Sequence, residues 1–81
     1  MKRIYTANFE VGLHDQADGM PYRHGWFEHN EYGDECGGGL WFHDGALVDY
    51  DGVYELPREV VKALADQGID VEYCNEENDN D

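Results

Sequence analysis

An Asp-Gly dipeptide set between two short apolar runs constrains this chain more than any other feature. Leu40-Trp41-Phe42 precedes it and Ala46-Leu47-Val48-Asp49-Tyr50 follows, with His43-Asp44-Gly45 between them. Both central residues of a type I′ turn need a positive φ, which glycine adopts freely and aspartate tolerates, and the twist of that turn matches the strands it joins. A hairpin closing on Asp44-Gly45 follows. A two-residue loop sets Trp41 opposite Val48 and Phe42 opposite Leu47, cross-strand pairs that contribute roughly 0.2–1 kcal/mol each. Asp51-Gly52 predicts a second turn, ahead of a short strand over Val53-Tyr54-Glu55.

Leu56-Pro57 then opens a helix. Proline suits the first helical position because the N–H it lacks would have no partner there. Val60, Val61 and Leu64 recur at helical spacing and form one apolar face. Gly68 is placed for a left-handed stop. A helix of about three turns is marginal alone in water, so this one must pack on the sheet.

The flanks add strands. Tyr5, Ala7, Phe9, Val11 and Leu13 alternate with Ile4, Thr6, Asn8, Glu10 and Gly12, which predicts one strand with one buried face. Residues 14–21 carry Asp, Gly and Pro and form a loop. Residues 22–30 return as a strand, with Tyr22, His24 and Trp26 on one face and Arg23, Gly25 and Phe27 on the other. Residues 31–39, with four glycines and three carboxylates, are expected to be a loop. After the helix, Ile69, Val71 and Tyr73 alternate with Asp70, Glu72 and Cys74 in a final strand whose acidic outer side resists edge pairing. The expected architecture is α+β: a small antiparallel sheet of four to five strands with one helix packed on one face. It forms a single domain over residues 1–74, and residues 75–81 are expected to be a disordered acidic tail.

The formal net charge is −14, and it is one-sided. Lys2, Arg3 and Arg23 balance Glu10, Asp15 and Asp18 in residues 1–25, whereas residues 26–81 hold Arg58 and Lys62 against 16 carboxylates. A field of this sign repels nucleic acid and anionic membrane and attracts basic surfaces; it also keeps a small protein soluble. Two cysteines, Cys36 and Cys74, are too few for a disulfide scaffold. With no leader or transmembrane run apparent, a cytoplasmic location with reduced thiols is expected.

Candidate chemistry is sparse. His14, His24, His29 and His43 with Cys36, Asp15, Asp34 and Asp44 offer many ligand atoms but no metal spacing. Asp49-Tyr50-Asp51-Gly52 resembles part of a calcium loop without the glutamate at loop position twelve. The chain has no serine. Cys36 with His43, or the carboxylates Asp49, Asp51 and Glu55, are the residues available for nucleophilic or acid–base work. A chain this short, with a thin core, is expected not to be an enzyme, and neither metal nor cofactor is expected. Gly37-Gly38-Gly39 lacks the lysine and following helix of a phosphate loop, and direct nucleic-acid binding would need a basic patch.

Aromatic residues beyond what a small core absorbs point to protein binding. Tyr32, Tyr50 and Tyr54 each adjoin acidic residues, and an exposed aromatic among carboxylates makes an interaction hot spot. The expected partner-binding set is Asp34, Glu35, Asp49, Tyr50, Asp51, Tyr54 and Glu55. Spaced carboxylates substitute for phosphates, because they present similar charge density and accept bidentate hydrogen bonds from arginine.

The size, the acidity and the run Gly39-Leu40-Trp41-Phe42 … Leu47-Val48-Asp49-Tyr50-Asp51-Gly52-Val53-Tyr54 with Leu56-Pro57 resemble small proteins of phages and mobile elements. Anti-CRISPR proteins are the best-known members of that group, and the likeness spans about half the chain. It implies a stoichiometric inhibitor that blocks a CRISPR–Cas effector, or another basic nucleic-acid-binding protein, by steric or electrostatic mimicry of DNA. The alternative is an acidic phage accessory or assembly adaptor that binds a protein through exposed aromatics. Monomer and homodimer are both open.

Overall fold

Asp44 and Gly45 have φ of 57° and 82°, the positive pair that the type I′ turn requires. The turn joins β4 (Gly33–His43) to β5 (Ala46–Gly52). His43 lies opposite Ala46 and Phe42 opposite Leu47, as the two-residue loop dictates. The next pair departs from expectation. Trp41 faces Asp49, because the register shifts at this point and Val48 is accommodated as an extra residue. Such a bulge increases local twist, and here it brings both Leu47 and Tyr50 onto the inner face with the core.

The computed structural model describes residues 1–73, so the expected tail at 75–81 and Cys74 lie outside the described residues. The alternating segment 4–13 is two strands: β1 (Lys2–Tyr5) and β2 (Phe9–Leu13) pair antiparallel, with Ile4 opposite Val11. Thr6 turns the chain. Its backbone N–H donates to Phe9 O at 2.8 Å, and its Oγ1 accepts from Phe9 N at 2.9 Å, so the side chain closes a turn without glycine or proline. Reversal puts Ile4 on the same face as Val11 and leaves Tyr5 outside.

β3 (Arg23–His29) pairs with both β2 and β4. The glycines expected in a loop are part of β4, the longest strand. Gly38 faces Phe27 on one side and Gly52 on the other, and Gly39 faces Trp26 and Asp51. Neighbouring rings need these positions empty. A Cβ at Gly38 would stand 2.6 Å from Tyr50 Cε1 and 2.7 Å from Asp51 O. The second Asp-Gly, Asp51-Gly52, ends β5 instead of turning it, and 53–55 form no strand.

α1 (Arg58–Asp66) begins one residue later than expected. Pro57 is its N-cap, with its carbonyl accepting from Val60 N and Val61 N at 3.1 Å each. Gly68, at φ 81°, reverses the chain while its N–H donates to Ala65 O, a left-handed helix stop. The expected final strand shortens to β6 (Asp70–Val71), which pairs parallel with β5. A parallel pair needs a long crossover, usually helical, and residues 53–69 supply it.

The result corrects the expected four-to-five-stranded antiparallel sheet with a helix laid on one face. Six strands run in the order β1-β2-β3-β4-β5-β6, with one parallel pair at the end. The sheet curls around the core, and α1 touches both its first hairpin and β6. Val11, Leu13, Phe27, Leu40, Phe42 and Leu47 from the sheet meet Leu56, Val60, Leu64 and Ile69. Glu59 fastens the helix to the hairpin, accepting from Asn8 N at 2.8 Å and Asn8 Nδ2 at 3.0 Å. The Thr6 hydroxyl, then Asn8, hold the Glu59 carboxyl below its ordinary pKa. Thr6 Oγ1 also lies 3.1 Å from Phe9 O. One hydroxyl proton serves one acceptor at a time, so the two Asn8 donors are the firmer hold.

Candidate partner-binding surfaces

Strand alternation divides the expected binding residues between two surfaces. Tyr50 points inward and Asp49 and Asp51 outward, because successive side chains take opposite faces. Tyr50 stacks on Phe27 at 5.7 Å and meets Tyr73 edge-on at 5.7 Å, and its hydroxyl donates to the Tyr54 carbonyl. Burial, then the neighbouring Tyr73 and Asp51, push its phenol above the ordinary value.

The inner end of the sheet opens there into a cavity of about 250 Å³. Tyr50, Tyr54 and Glu55 from the expected set line it, together with Phe9, Phe27, His29, Tyr32 and Cys36. Aromatic contacts continue around the wall: Phe9 meets Phe27 at 5.8 Å and His29 at 5.1 Å, and Tyr32 lies 4.8 Å from His29. His29 Nδ1 accepts from Glu31 N at 2.9 Å and Tyr32 N at 3.2 Å, so the imidazole shapes the β3–β4 turn that carries Tyr32. Tyr54 and Tyr32 are 64% and 58% exposed. Asp34 and Glu35 are exposed beside this end. They sit in an irregular stretch where one residue of β3 is matched by four of β4, between the pairs Phe27–Gly38 and His29–Gly33.

The outer surface is ordered by register. One row runs Arg3, Gly12, Trp26, Gly39, Asp51 across five strands, and the next runs His24, Trp41, Asp49. Asp49 and Asp51, two residues apart on one strand face, have Cα atoms roughly 6.6 Å apart, and both are exposed. Trp26 lies flat across Gly12, where a Cβ would stand 2.4 Å from Trp26 Cε2. Trp41 lies over Gly39 and meets His24 edge-on at 5.8 Å. The Arg3 guanidinium stands 5.6 Å from the Trp26 ring centroid while Nη1 donates to Glu10 Oε2. Glu10 and Glu28 face each other across β2 and β3, an unfavourable like-charge pair that Arg3 relieves at Glu10. No strand or helix of the described residues packs on this face, since α1 occupies the inner one.

Sequence reasoning leaves Trp26, Trp41, His24, Arg3 and Glu10 out of the binding set. The available signal was the placement of Gly12 and Gly39, bare positions on which large rings can lie. Among the described residues no group of three or more His, Cys, Asp or Glu is placed to hold a metal, and no helix is long and apolar enough to cross a membrane. Comparison of the chain with protein-family models, curated proteins and solved structures gave no match.

Proposed function

We propose that this chain is an acidic inhibitor that occupies a basic surface of a nucleic-acid-binding protein. The observation that carries the reading is the outer face of the sheet, where exposed Asp49 and Asp51 stand in register with Trp41 and Gly39. The strand fixes the spacing of the two carboxylates, and Asp49 Oδ1 is further held by accepting from Tyr50 N at 2.9 Å, which reduces the ordering cost when a partner's lysines and arginines bind. The field of the remaining acidic residues speeds encounter with such a surface. The resemblance to anti-CRISPR proteins makes a Cas effector the first partner to test.

The test is competition. A Cas effector loaded with guide is mixed with labelled target DNA and increasing amounts of this chain, at low and at high salt. Loss of DNA binding that weakens with salt, and that is impaired by joint Asp49→Asn and Asp51→Asn substitution, is the expected result. Effectors of several types that keep their DNA at every concentration would remove the Cas assignment. Inhibition indifferent to salt and to both substitutions would remove electrostatic mimicry.

The second reading, an adaptor that binds through aromatics, is favoured by the aromatic cavity with Tyr32 and Tyr54 at its mouth. It predicts partner capture that resists salt and fails with Tyr54→Ala.

A further inference from the structure

We propose that Trp41 and Asp49 form a receptor for an arginine guanidinium of the partner. The inference rests on the reading above and names the group that the outer face recognises. The chain already shows how this face holds a guanidinium. Arg3 lies over the Trp26 indole and donates to the Glu10 carboxylate, so ring and carboxylate act on one cation. Arginine suits that pairing because its planar, weakly hydrated group stacks on an indole while its fork donates to oxygen.

Trp41 repeats the arrangement one row away. Its direct cross-strand partner is Asp49, and Asp51 follows on the same face. One side of the indole rests on Gly39, where a Cβ would stand 3.1 Å from Cη2, so the other side turns away from the sheet. The row His24, Trp41, Asp49 contains no lysine or arginine. The chain's other cationic side chains stand elsewhere. Arg23 is on the opposite face of β3 and donates to His14 O at 2.7 Å, Lys2 lies on the β1 edge, and Arg58 and Lys62 are on α1. An indole and a carboxylate, the pair that Arg3 satisfies at Trp26 and Glu10, are thus present at Trp41 and Asp49 with no lysine or arginine of the described residues between them, and of the Asp49 oxygens Oδ1 accepts from Tyr50 N at 2.9 Å. Charge complementarity selects a basic partner, and the ring selects arginine over lysine.

The experiment uses the full chain labelled with ¹⁵N. The probes are two peptides of equal charge, acetyl-Gly-Arg-Gly-Arg-Gly-amide and its lysine counterpart. Indole N–H signals are assigned with Trp41→Phe and Trp26→Phe. The arginine peptide is expected to shift the Trp41 signal, with affinity about two- to five-fold above the lysine peptide, and Asp49→Asn is expected to weaken it. Trp26 should stay unmoved while Arg3 covers it, and Arg3→Gln should make Trp26 respond as well. Equal affinity for the two peptides would overturn the arginine receptor while leaving a basic-surface binder intact. No response at Trp41 to either peptide would also overturn it, and the DNA-competition assay would then report separately on the inhibitor reading.

Discussion

Replacing Gly12 with valine is expected to destabilise the domain, although valine is among the residues most favoured in strands. Gly12 pairs with Arg3 on one side and Trp26 on the other. A Cβ there would stand 2.4–2.6 Å from Trp26 Cε2, Cζ2 and Nε1, closer than any real contact. The backbone is held by pairing on both sides, so the indole must swing away. Full burial of a large apolar side chain is worth roughly 1.5–3 kcal/mol, and Trp26 is half-buried, so displacement removes roughly 1–1.5 kcal/mol on that scale. The swing also removes the ring that lies under the Arg3 guanidinium. Valine's strand preference offsets up to about 1 kcal/mol. The net loss is up to roughly 1.5 kcal/mol, which at about 4–8 °C per kcal/mol for a domain of this size lowers Tm by up to about 12 °C. Thermal unfolding by circular dichroism measures it, and Trp26 fluorescence in a Trp41→Phe background reports the swing. In a Trp26→Ala background the same valine should be neutral or stabilising. A Tm equal to or above that of the parent, with unchanged Trp26 emission, would refute the packing argument.

Three further outcomes are expected. Asp44-Gly45→Val-Val forces β-branched residues into the left-handed region, at about 1–2 kcal/mol per residue or more, so urea unfolding should shift to lower midpoint; an unchanged midpoint would mean that the hairpin does not need a positive-φ turn. Leu64→Ala opens a hole where α1 meets the sheet and should cost about 2–5 kcal/mol, a large share of the roughly 4–12 kcal/mol typical of a chain this long. Circular dichroism and calorimetry would show it, and a loss near zero would mean that α1 does not close the core. Glu59 has a folded pKa below its unfolded one, so its contribution is complete above the ordinary carboxylate range and fades as pH falls through the folded pKa. The stability gap between the parent and Glu59→Gln should therefore be widest near neutrality and shrink in acid; a gap constant from pH 7 to about pH 3 would mean that the Asn8 clamp does not depend on the charge.

What the sequence revealed was local. Asp44-Gly45, the Phe42–Leu47 pair and the Gly68 stop all depend on a few adjacent residues, and each stands as expected. Alternation from Ile4 to Leu13 concealed a turn because Thr6 closes it through a hydroxyl, with neither glycine nor proline to mark it. Gly37-Gly38-Gly39 suggested a loop because bare residues carry no pattern; the reason for glycine there lies in the β3 backbone against Gly37, the Tyr50 ring above Gly38 and the Trp41 ring above Gly39. The final strand was legible in its alternation, but its parallel pairing depends on how the crossover packs. Of the candidate binding residues, Tyr50, Tyr54 and Glu55 come together at the cavity, whereas Asp49 and Asp51 join an outer face whose other members are on β1 to β4. That grouping is a property of register across several strands, and no single stretch of sequence contains it.

The clamp from Glu59 to Asn8 joins residues 51 positions apart, and it gives the fold an order of assembly. From β1 to β5 each strand pairs with its neighbour in sequence, so these pairings close short loops, which favours fast formation. These pairings can therefore form before α1 docks. Until the helix docks, the chain has no cover for Val11, Leu13, Leu40 and Leu47, which the finished protein buries against Val60 and Leu64. Transient apolar surface of this kind is what chaperones and proteases act upon. A chain truncated before α1 is thus expected to expose these sheet residues and to be cut by protease faster than the intact chain, whose helix covers them.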